Sequence, residues 1–254
     1  MAEAVISPEE LDSIRACIIT AFGRNGTLAD AFIGAIRAKF IEPARKTLNE
    51  ITFSGLISHK NPYLYRAIGA DTIVELVDRT LSDFMTSSIE TNFGNFLELF
   101  ALSLPGNIKS SAAGVDVERR MGNVTELYAV KSGPQGYNSS SWQTQKEQLA
   151  SARTRLQQAG HNVIAYTGPA YGRIKTTVDK KMGIVRLSSK ELWHRLSGEE
   201  DFYQKLLVAT ECVASLYEGD LYAARARLLK EAEEKFTNDA GGPDWAKILA
   251  TASG

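Results

Sequence analysis

The segment TELYAVKS, residues 125–132, restricts the fold of this chain more than any other. Its polar and apolar residues alternate and several favour strands, which predicts a β-strand. A helical pattern follows, and then HNVIAYTG, a short apolar run expected of a strand buried beside a parallel neighbour. The strand GIVRLSS and a short helix with the capping box Ser188…Glu191 come next. This order predicts an α/β fold with a central mixed β-sheet flanked by helices.

The remainder of the chain is predicted to be mainly helical. Near the start, Ser7 and Glu10 match a capping box, and apolar residues then recur at helical spacing. The segment SHKNPYLYRAIGAD is expected to be a loop, and two separate helices are expected to follow it at 71–88 and 90–104, with Thr91 as a candidate N-cap of the second. We expect a single domain with three parts: a helical N-terminal part at 1–88, a core at 89–197 and C-terminal helices at 198–254.

Composition limits the possible partners only weakly. The formal net charge is −1, so a nucleic-acid partner would need a local basic patch. Cys17 and Cys212 lie in amphipathic helical patterns and are interpreted as reduced core residues of a cytoplasmic protein. No apolar run is long enough to cross a membrane, so no membrane partner is expected. The three histidines are far apart, which argues against a zinc site built from histidines alone.

An acid and a lysine are predicted to face each other across a hairpin that ends in the strand 125–132. Residues two apart on a strand point to the same side, so Leu127, Ala129 and Lys131 share one face. Asp116, on or near the preceding strand, can lie opposite Lys131, whereas Glu126 has the opposite parity. An acid that holds a divalent metal and a cation beside the nucleophile are what phosphodiester hydrolysis requires.

This arrangement resembles the PD-(D/E)XK nuclease superfamily, in which an acid on one strand is followed by acid-x-Lys on the next. The closer resemblance is to the PmeII-like type II restriction endonucleases. It is carried, in order, by NPYLYRAIG, ETNFGNFLELFA, SAAGVDVE, LYAVKSGP with NSSSWQ, VIAYTG and KELWHRLSGEEDFYQKLL. The resemblance implies a restriction-endonuclease-like fold and a magnesium-dependent endonuclease that cuts double-stranded DNA at a short specific sequence as a homodimer.

The resemblance also implies roles for particular residues. Asp116 fits the first metal ligand, Lys131 the catalytic lysine, and the backbone carbonyl of Val130 a further ligand of Mg²⁺. Ala129 occupies the position of the second acid and cannot bind metal. Some superfamily members recruit that acid from a helix, for which the first candidate is Glu98. The alternatives, in order of preference, are Glu90, Glu118 and the neutral Gln143.

Two segments are candidates for contacts with DNA. The polar side chains of the loop SGPQGYNSSSWQ suit phosphate and base edges, and they equally suit a helix cap; they include Asn138, Ser139, Ser140 and Gln143. A hairpin-like connection further along carries Arg173, Lys175, Lys180 and Lys181. Such an arm can contact phosphates, or it can be an ordinary solvated hairpin.

Two other functions remain open from the sequence. The first is a DNA-binding protein of the same fold that has lost catalysis, which is compatible with Ala129. The second is a helical interaction protein with a small sheet, in which Asp116 and Lys131 would not come together.

Overall fold

A computed structural model describes residues 8–134 and 139–254. The described part is mixed α/β. In the sequence, helices precede and follow the strands of a six-stranded sheet. The helices are α1 (Pro8–Ala21), α2 (Gly26–Ile36), a π-helix (Arg37–Ile41), α3 (Glu42–Glu50), α4 (Phe53–Ile57), α5 (Pro62–Ala67), α6 (Ile73–Ser103), α7 (Ser139–Gln158), α8 (Ser189–Ser197), α9 (Phe202–Glu211), α10 (Ser215–Phe236) and α11 (Trp245–Ser253). The strands are β1 (Asn107–Lys109), β2 (Val117–Met121), β3 (Val124–Lys131), β4 (Asn162–Pro169), β5 (Thr177–Asp179) and β6 (Ile184–Arg186).

The sheet is mixed and has the strand order β1-β2-β3-β4-β6-β5. β2 and β3 form an antiparallel hairpin in which Val117 pairs with Tyr128. β3 and β4 are parallel and are joined through α7, as a parallel connection requires. The predicted α/β class, the mixed sheet and the parallel pairing of HNVIAYTG are therefore confirmed. The short strands β1 and β5 were not predicted.

The chain divides into two compact units, each assembled from two segments. Unit 1 comprises Met1–Phe40 and Phe93–Val213, and unit 2 comprises Ile41–Asn92 and Ala214–Gly254. The whole sheet lies in unit 1, and α6 contributes residues to both units. The expectation of a single domain with three parts stays a prediction.

Unit 1 has an aromatic core and an apolar layer between the sheet and α7. The aromatic rings lie 5–7 Å apart from centre to centre and include Phe22, Phe32, Phe96, Phe100, Trp193 and Phe202. On one face of the sheet, Leu127 and Ala129 of β3 pack in a buried cluster with Leu149 and Ala152 of α7. This layer holds α7 against β3, the strand that ends at Lys131.

Unit 2 has its own buried core, formed by α4, α5, α6, α10 and α11, with Leu76, Leu228 and Phe236 among its members. Glu231 of α10 accepts hydrogen bonds from the backbone N–H of Phe53 at 2.6 Å and from the hydroxyl of Ser54 at 2.7 Å. This carboxylate therefore satisfies donors at the N-terminus of α4, where they lack partners within the helix.

Three expectations for the helical segments need correction. The predicted loop 58–71 contains the helix α5, which begins with Asn61 as N-cap and Pro62 as its first residue. The two helices expected on either side of residue 89 are one helix of 31 residues, α6. Thr91 is not an N-cap, because its hydroxyl donates to the carbonyl of Ser87 within that helix. Ser7, the predicted N-cap of α1, lies outside the described residues.

The prediction of two reduced core cysteines is wrong. Cys17 and Cys212 form a disulfide, with their Cα atoms 5.9 Å apart. Cys17 is exposed on α1 and Cys212 is only partly buried after α9, so neither belongs to the core. Their separation of 195 residues hides the pairing from sequence inspection. The cytoplasmic location stays a prediction, and no helix within 8–134 or 139–254 is long and apolar enough to cross a membrane.

Candidate active site

Asp116 is fixed at the point where the chain enters the β2–β3 hairpin. Its backbone N–H donates to the carbonyl of Tyr128 at 2.8 Å. Its carboxylate oxygen Oδ2 accepts the backbone N–H of Val130, also at 2.8 Å. Because both bonds go to β3, the position of the Asp116 carboxylate is set relative to the strand that ends at Lys131.

Ala129 lies on β3 between the residues that hold Asp116. The regular pairing ends with Val117 opposite Tyr128, and Asp116, one residue before it, is tied to β3 by its bonds to Tyr128 and Val130. Leu127, Ala129 and Lys131 share one face of β3, as predicted from their parity. Ala129 is 0% exposed and belongs to the apolar cluster beneath α7, whereas Lys131 is partly buried at the strand end. The position of the usual second acid is thus part of the core.

Glu98 approaches this hairpin from α6. One turn earlier on the same helix, Gly94 lies so close to the end of β3 that a Cβ atom added there would be 2.9 Å from the Cβ of Ser132. Residues four apart lie on one face of a helix, so the face that carries Gly94 and Glu98 is turned toward the hairpin. A carboxylate oxygen of Glu98 lies 3.8 Å from the ammonium nitrogen of Lys109.

The electrostatics of Glu98 link it to the other two site residues. Burial raises the pKa of Glu98 above its ordinary value, and the negative charge of Asp116 raises this pKa further. The positive charges of Lys109 and Lys131 act in the opposite direction. The structure therefore brings Asp116, Lys131 and Glu98 together, with two carboxylates near enough to repel each other.

Two carboxylates are too few to bind a metal ion through protein ligands alone, but they are enough for a magnesium ion. Within the part of the chain that the structure describes, no group of three or more His, Cys, Asp or Glu side chains could hold a metal ion. Mg²⁺ is commonly bound through one or two carboxylates together with phosphate oxygens and water. The donors of Asp116 and Glu98 are hard oxygens, and a cation between them would relieve their repulsion, so this pair fits the ion.

The other two acids considered from the sequence lie elsewhere. Glu90 is eight residues before Glu98 on α6, or about 12 Å along the helix axis, so the two cannot ligate one ion together. Glu90 is exposed and lines a pocket of about 510 Å³ in unit 2. Glu118 forms an ion pair with Arg120 at 3.6 Å. The charge of Glu98, by contrast, interacts with that of Asp116.

The sequence was compared with known families and proteins. A family model for the type II restriction endonuclease EcoO109I matches residues 30–215, which is well over half of the chain. The chain belongs to the EcoO109I family. The match covers α6, the whole sheet and α7, and therefore every residue of the candidate site. A search of curated proteins finds no significant match.

Membership of the EcoO109I family establishes the general class of the protein. It is a type II restriction endonuclease, a nuclease whose substrate is DNA. The family match thus supports the nuclease expected from the sequence, whereas the metal, the cleaved sequence and the oligomeric state are matters for proposal.

The predicted DNA contacts fall into two places in this EcoO109I family member. Asn138 lies outside the described residues. Ser139, Ser140 and Gln143 belong to the first turns of α7 rather than to a loop, and the exposed Gln143 donates to Glu147 at 2.7 Å. The α7 N-terminus follows Lys131 after a short connection, so these residues are near the hairpin in the chain. Their contacts with DNA stay a prediction.

The basic arm is the connection into the β5–β6 hairpin. Arg173 and Lys175 are exposed in the segment before β5, and Lys180 and Lys181 are exposed in the turn after it. The ring of Trp142 on α7 lies under the guanidinium of Arg186 from β6, 5.4 Å from the ring centre. This cation–π contact ties the hairpin to the helix that follows the active strand.

The opposite face of β3 carries a buried polar network that sequence reasoning missed. Glu126 is 8% exposed and accepts a hydrogen bond from the hydroxyl of Tyr128 at 2.6 Å. Tyr128 stacks on Tyr166 of β4 with ring centres 5.0 Å apart, and Arg195 of α8 lies 3.6 Å from Glu126. Burial and the bond to Glu126 raise the pKa of Tyr128. The network confirms that Glu126 points away from Lys131.

Proposed function

We propose that this protein is a magnesium-dependent, site-specific deoxyribonuclease of the PD-(D/E)XK type, most similar to the PmeII-like restriction endonucleases. It hydrolyses phosphodiester bonds of double-stranded DNA at a short sequence. The observation that supports this most is the approach of Glu98, from a helix, to Asp116 and Lys131 on the hairpin. A helix acid thereby takes the place of the one absent at Ala129.

Each residue has a distinct part in this proposal. Asp116 and Glu98 would hold the ion, with the carbonyl of Val130 as a further protein ligand. A Mg²⁺ ion held there would polarise the phosphoryl oxygen and make a bound water more acidic. Lys131 supplies a positive charge beside the attacking water and the negative charge that develops on the phosphate. The bond from the Val130 N–H keeps Asp116 from rotating away.

Cutting both strands of a symmetric site requires two active sites related by a two-fold axis. We therefore also propose a homodimer. Apolar side chains at the surface of α9 offer area for such a contact, since Leu207 is 72% and Val208 is 48% exposed. Light scattering at micromolar concentration should give about twice the chain mass; a strictly monomeric species, free and on DNA, would contradict the dimer.

A second candidate is a DNA-binding protein of the same fold without catalysis. It is favoured by one observation, the burial of Ala129 in an apolar cluster where the superfamily carries an acid. Under this alternative, Glu98 is an ordinary helix residue and no metal binds.

Cleavage of DNA of known sequence, followed by mapping of the ends, separates the two candidates. Wild type should cut with Mg²⁺ or Mn²⁺. Asp116→Asn and Lys131→Ala should each lose about 100-fold or more in cleavage rate, while DNA binding measured in Ca²⁺ survives. Glu98→Gln should lose as much, whereas Glu234→Gln, an exposed acid on α10, should not.

The result for wild type decides between enzyme and binding protein. If no DNA is cut with either metal although the protein binds DNA, the binding-protein alternative is correct. If wild type cuts and a folded Glu98→Gln variant cuts equally well, the enzyme stands but Glu98 is not its second ligand.

A further inference from the structure

A buried glutamine on α7 contacts the turn that leads into Asp116. Gln145 is 7% exposed, although its neighbours Gln143 and Glu147 on the same helix are exposed. Its side-chain Nε2 donates to the backbone carbonyl of Gly114 at 2.5 Å. Gln145 lies in an otherwise apolar stripe of α7 that continues through Leu149 and Ala152. A polar side chain is costly to bury unless it is hydrogen-bonded, so this bond has a specific structural purpose.

The turn accepts this contact only because residue 114 is glycine. Gly114 has φ +73°, a conformation that side chains rarely adopt. A Cβ atom there would also come within 2.7 Å of the Cβ of Gln148 and 3.0 Å of the Gln145 amide nitrogen. The backbone of the turn is therefore packed directly on α7, with no side chain between them.

Asp116 is two residues beyond this contact. Its carboxylate is held on one side by the Val130 N–H of β3, and its backbone is held on the other side through Gly114 by α7. The first turns of α7 carry Ser140 and Gln143, which are predicted to contact DNA. A movement of α7 on DNA binding would therefore reach the carbonyl of Gly114 through Gln145, and Asp116 directly after it.

We propose that Gln145 is a positioning residue that sets the geometry of the metal-binding carboxylate of Asp116 and couples it to the DNA-contacting end of α7. This role rests on the proposed function above. Groups that support metal ligands in this way typically change metal affinity or activity by about 10–100-fold when they are removed.

The test compares Gln145→Met, which keeps the length of the side chain but removes the donor, with Gln157→Met, an exposed position near the end of the same helix. The amount of free Mn²⁺ in equilibrium with DNA-free protein is measured by electron paramagnetic resonance. Gln145→Met should bind Mn²⁺ about tenfold more weakly than wild type, and Gln157→Met should match wild type.

Hydrogen exchange gives a second measurement that needs no metal. If Gln145 positions Asp116, the Val130 amide should exchange faster in Gln145→Met, because its acceptor is Asp116. The amide of Leu127, three residues before Val130 in the same strand, should be unaffected. Gln145→Glu, which matches the original side chain in size, should have the same effects and serves if the methionine variant fails to fold.

The outcomes distinguish this proposal from the function on which it rests. Equal Mn²⁺ affinity and equal Val130 exchange in wild type and both folded Gln145 variants would overturn the positioning role alone. A loss of Leu127 protection together with a lower melting temperature would show a general structural role and would also overturn it. If wild type neither binds Mn²⁺ nor cuts DNA, the proposed function itself fails.

Discussion

The close approach of α6 to the end of β3 makes Gly94→Ala a sensitive test of the site. The added Cβ would be 2.9 Å from the Cβ of Ser132. Carbon atoms pack at about 3.5–4.0 Å, so the two backbones must separate by roughly 0.6–1.1 Å. The Cβ of Ser132 cannot rotate away, because its position follows from the backbone. Glu98, one turn further along, must move with the helix.

Stability and activity should respond differently. Alanine stabilises a helix interior by about 1 kcal/mol relative to glycine, whereas overpacking costs about 1–3 kcal/mol. The net loss is about 0–2 kcal/mol, or about 0–8 °C in melting temperature for a chain of this size. A displacement of about 1 Å in a catalytic group can cost about 100-fold in rate. Gly94→Ala should therefore remain folded and cut DNA about 100-fold more slowly.

Gly34→Ala on α2 is the matched control, because nothing lies within 4 Å of the added Cβ. This variant should be slightly more stable than wild type. It should also cut DNA at the wild-type rate, where the rate is the initial rate of plasmid cleavage at saturating Mg²⁺. In the double variant with Glu98→Gln, Gly94→Ala should cause little further loss, since both changes act on one ligand. Cutting by Gly94→Ala within twofold of wild type would refute this account of how Glu98 is positioned.

Three other predictions concern stability and DNA binding. Burial opposes ionisation of Glu231, but its hydrogen bonds outweigh burial and lower the pKa of its carboxyl group. Glu231→Gln should therefore lower the free energy of unfolding, measured by urea titration, by about 1–3 kcal/mol at neutral pH. The difference from wild type should shrink as the pH falls through this lowered pKa. Reduction of the Cys17–Cys212 disulfide should lower the free energy of unfolding by about 2–4 kcal/mol, and Cys17→Ser should show the same loss without reductant; equal melting curves would argue against the bond. Arg173→Ala combined with Lys175→Ala should weaken binding to all DNA sequences and flatten its salt dependence in fluorescence titrations, and unchanged binding would move the phosphate contacts elsewhere.

The hairpin and its neighbours were predictable because their signals are local. The alternation of residues 125–132 defined β3, and parity alone placed Lys131 and Glu126 on opposite faces. The choice of Glu98 came from the resemblance of ETNFGNFLELFA to the nuclease family, and the closeness of Gly94 to Ser132 agrees with it. The inferences about β3 depend only on the two-residue repeat of a single strand.

The features that were missed depend on contacts between distant segments. Thr91 resembles an N-cap in sequence, but its hydroxyl bonds within α6 instead. No spacing rule joins Cys17 to Cys212 across 195 residues. Gln145 did leave a signal, because it occupies the same stripe of α7 as Leu149 and Ala152. A polar residue at such a position indicates a buried hydrogen bond, but the partner could not be identified from the sequence.

The burial of Ala129 has a consequence for how related genes are recognised and how this one is engineered. Because α7 packs on that position, Ala129→Glu would place a carboxylate among apolar side chains. Restoring the acid-x-Lys motif would therefore lower the stability of the fold and would not raise activity. A sequence-motif search that requires an acid at the position of Ala129 would miss such a chain. Under the proposed function, the pattern to search for is split over three places: glycine and glutamate four apart on a helix, Gly-x-Asp before a hairpin, and a lysine at the end of the next strand.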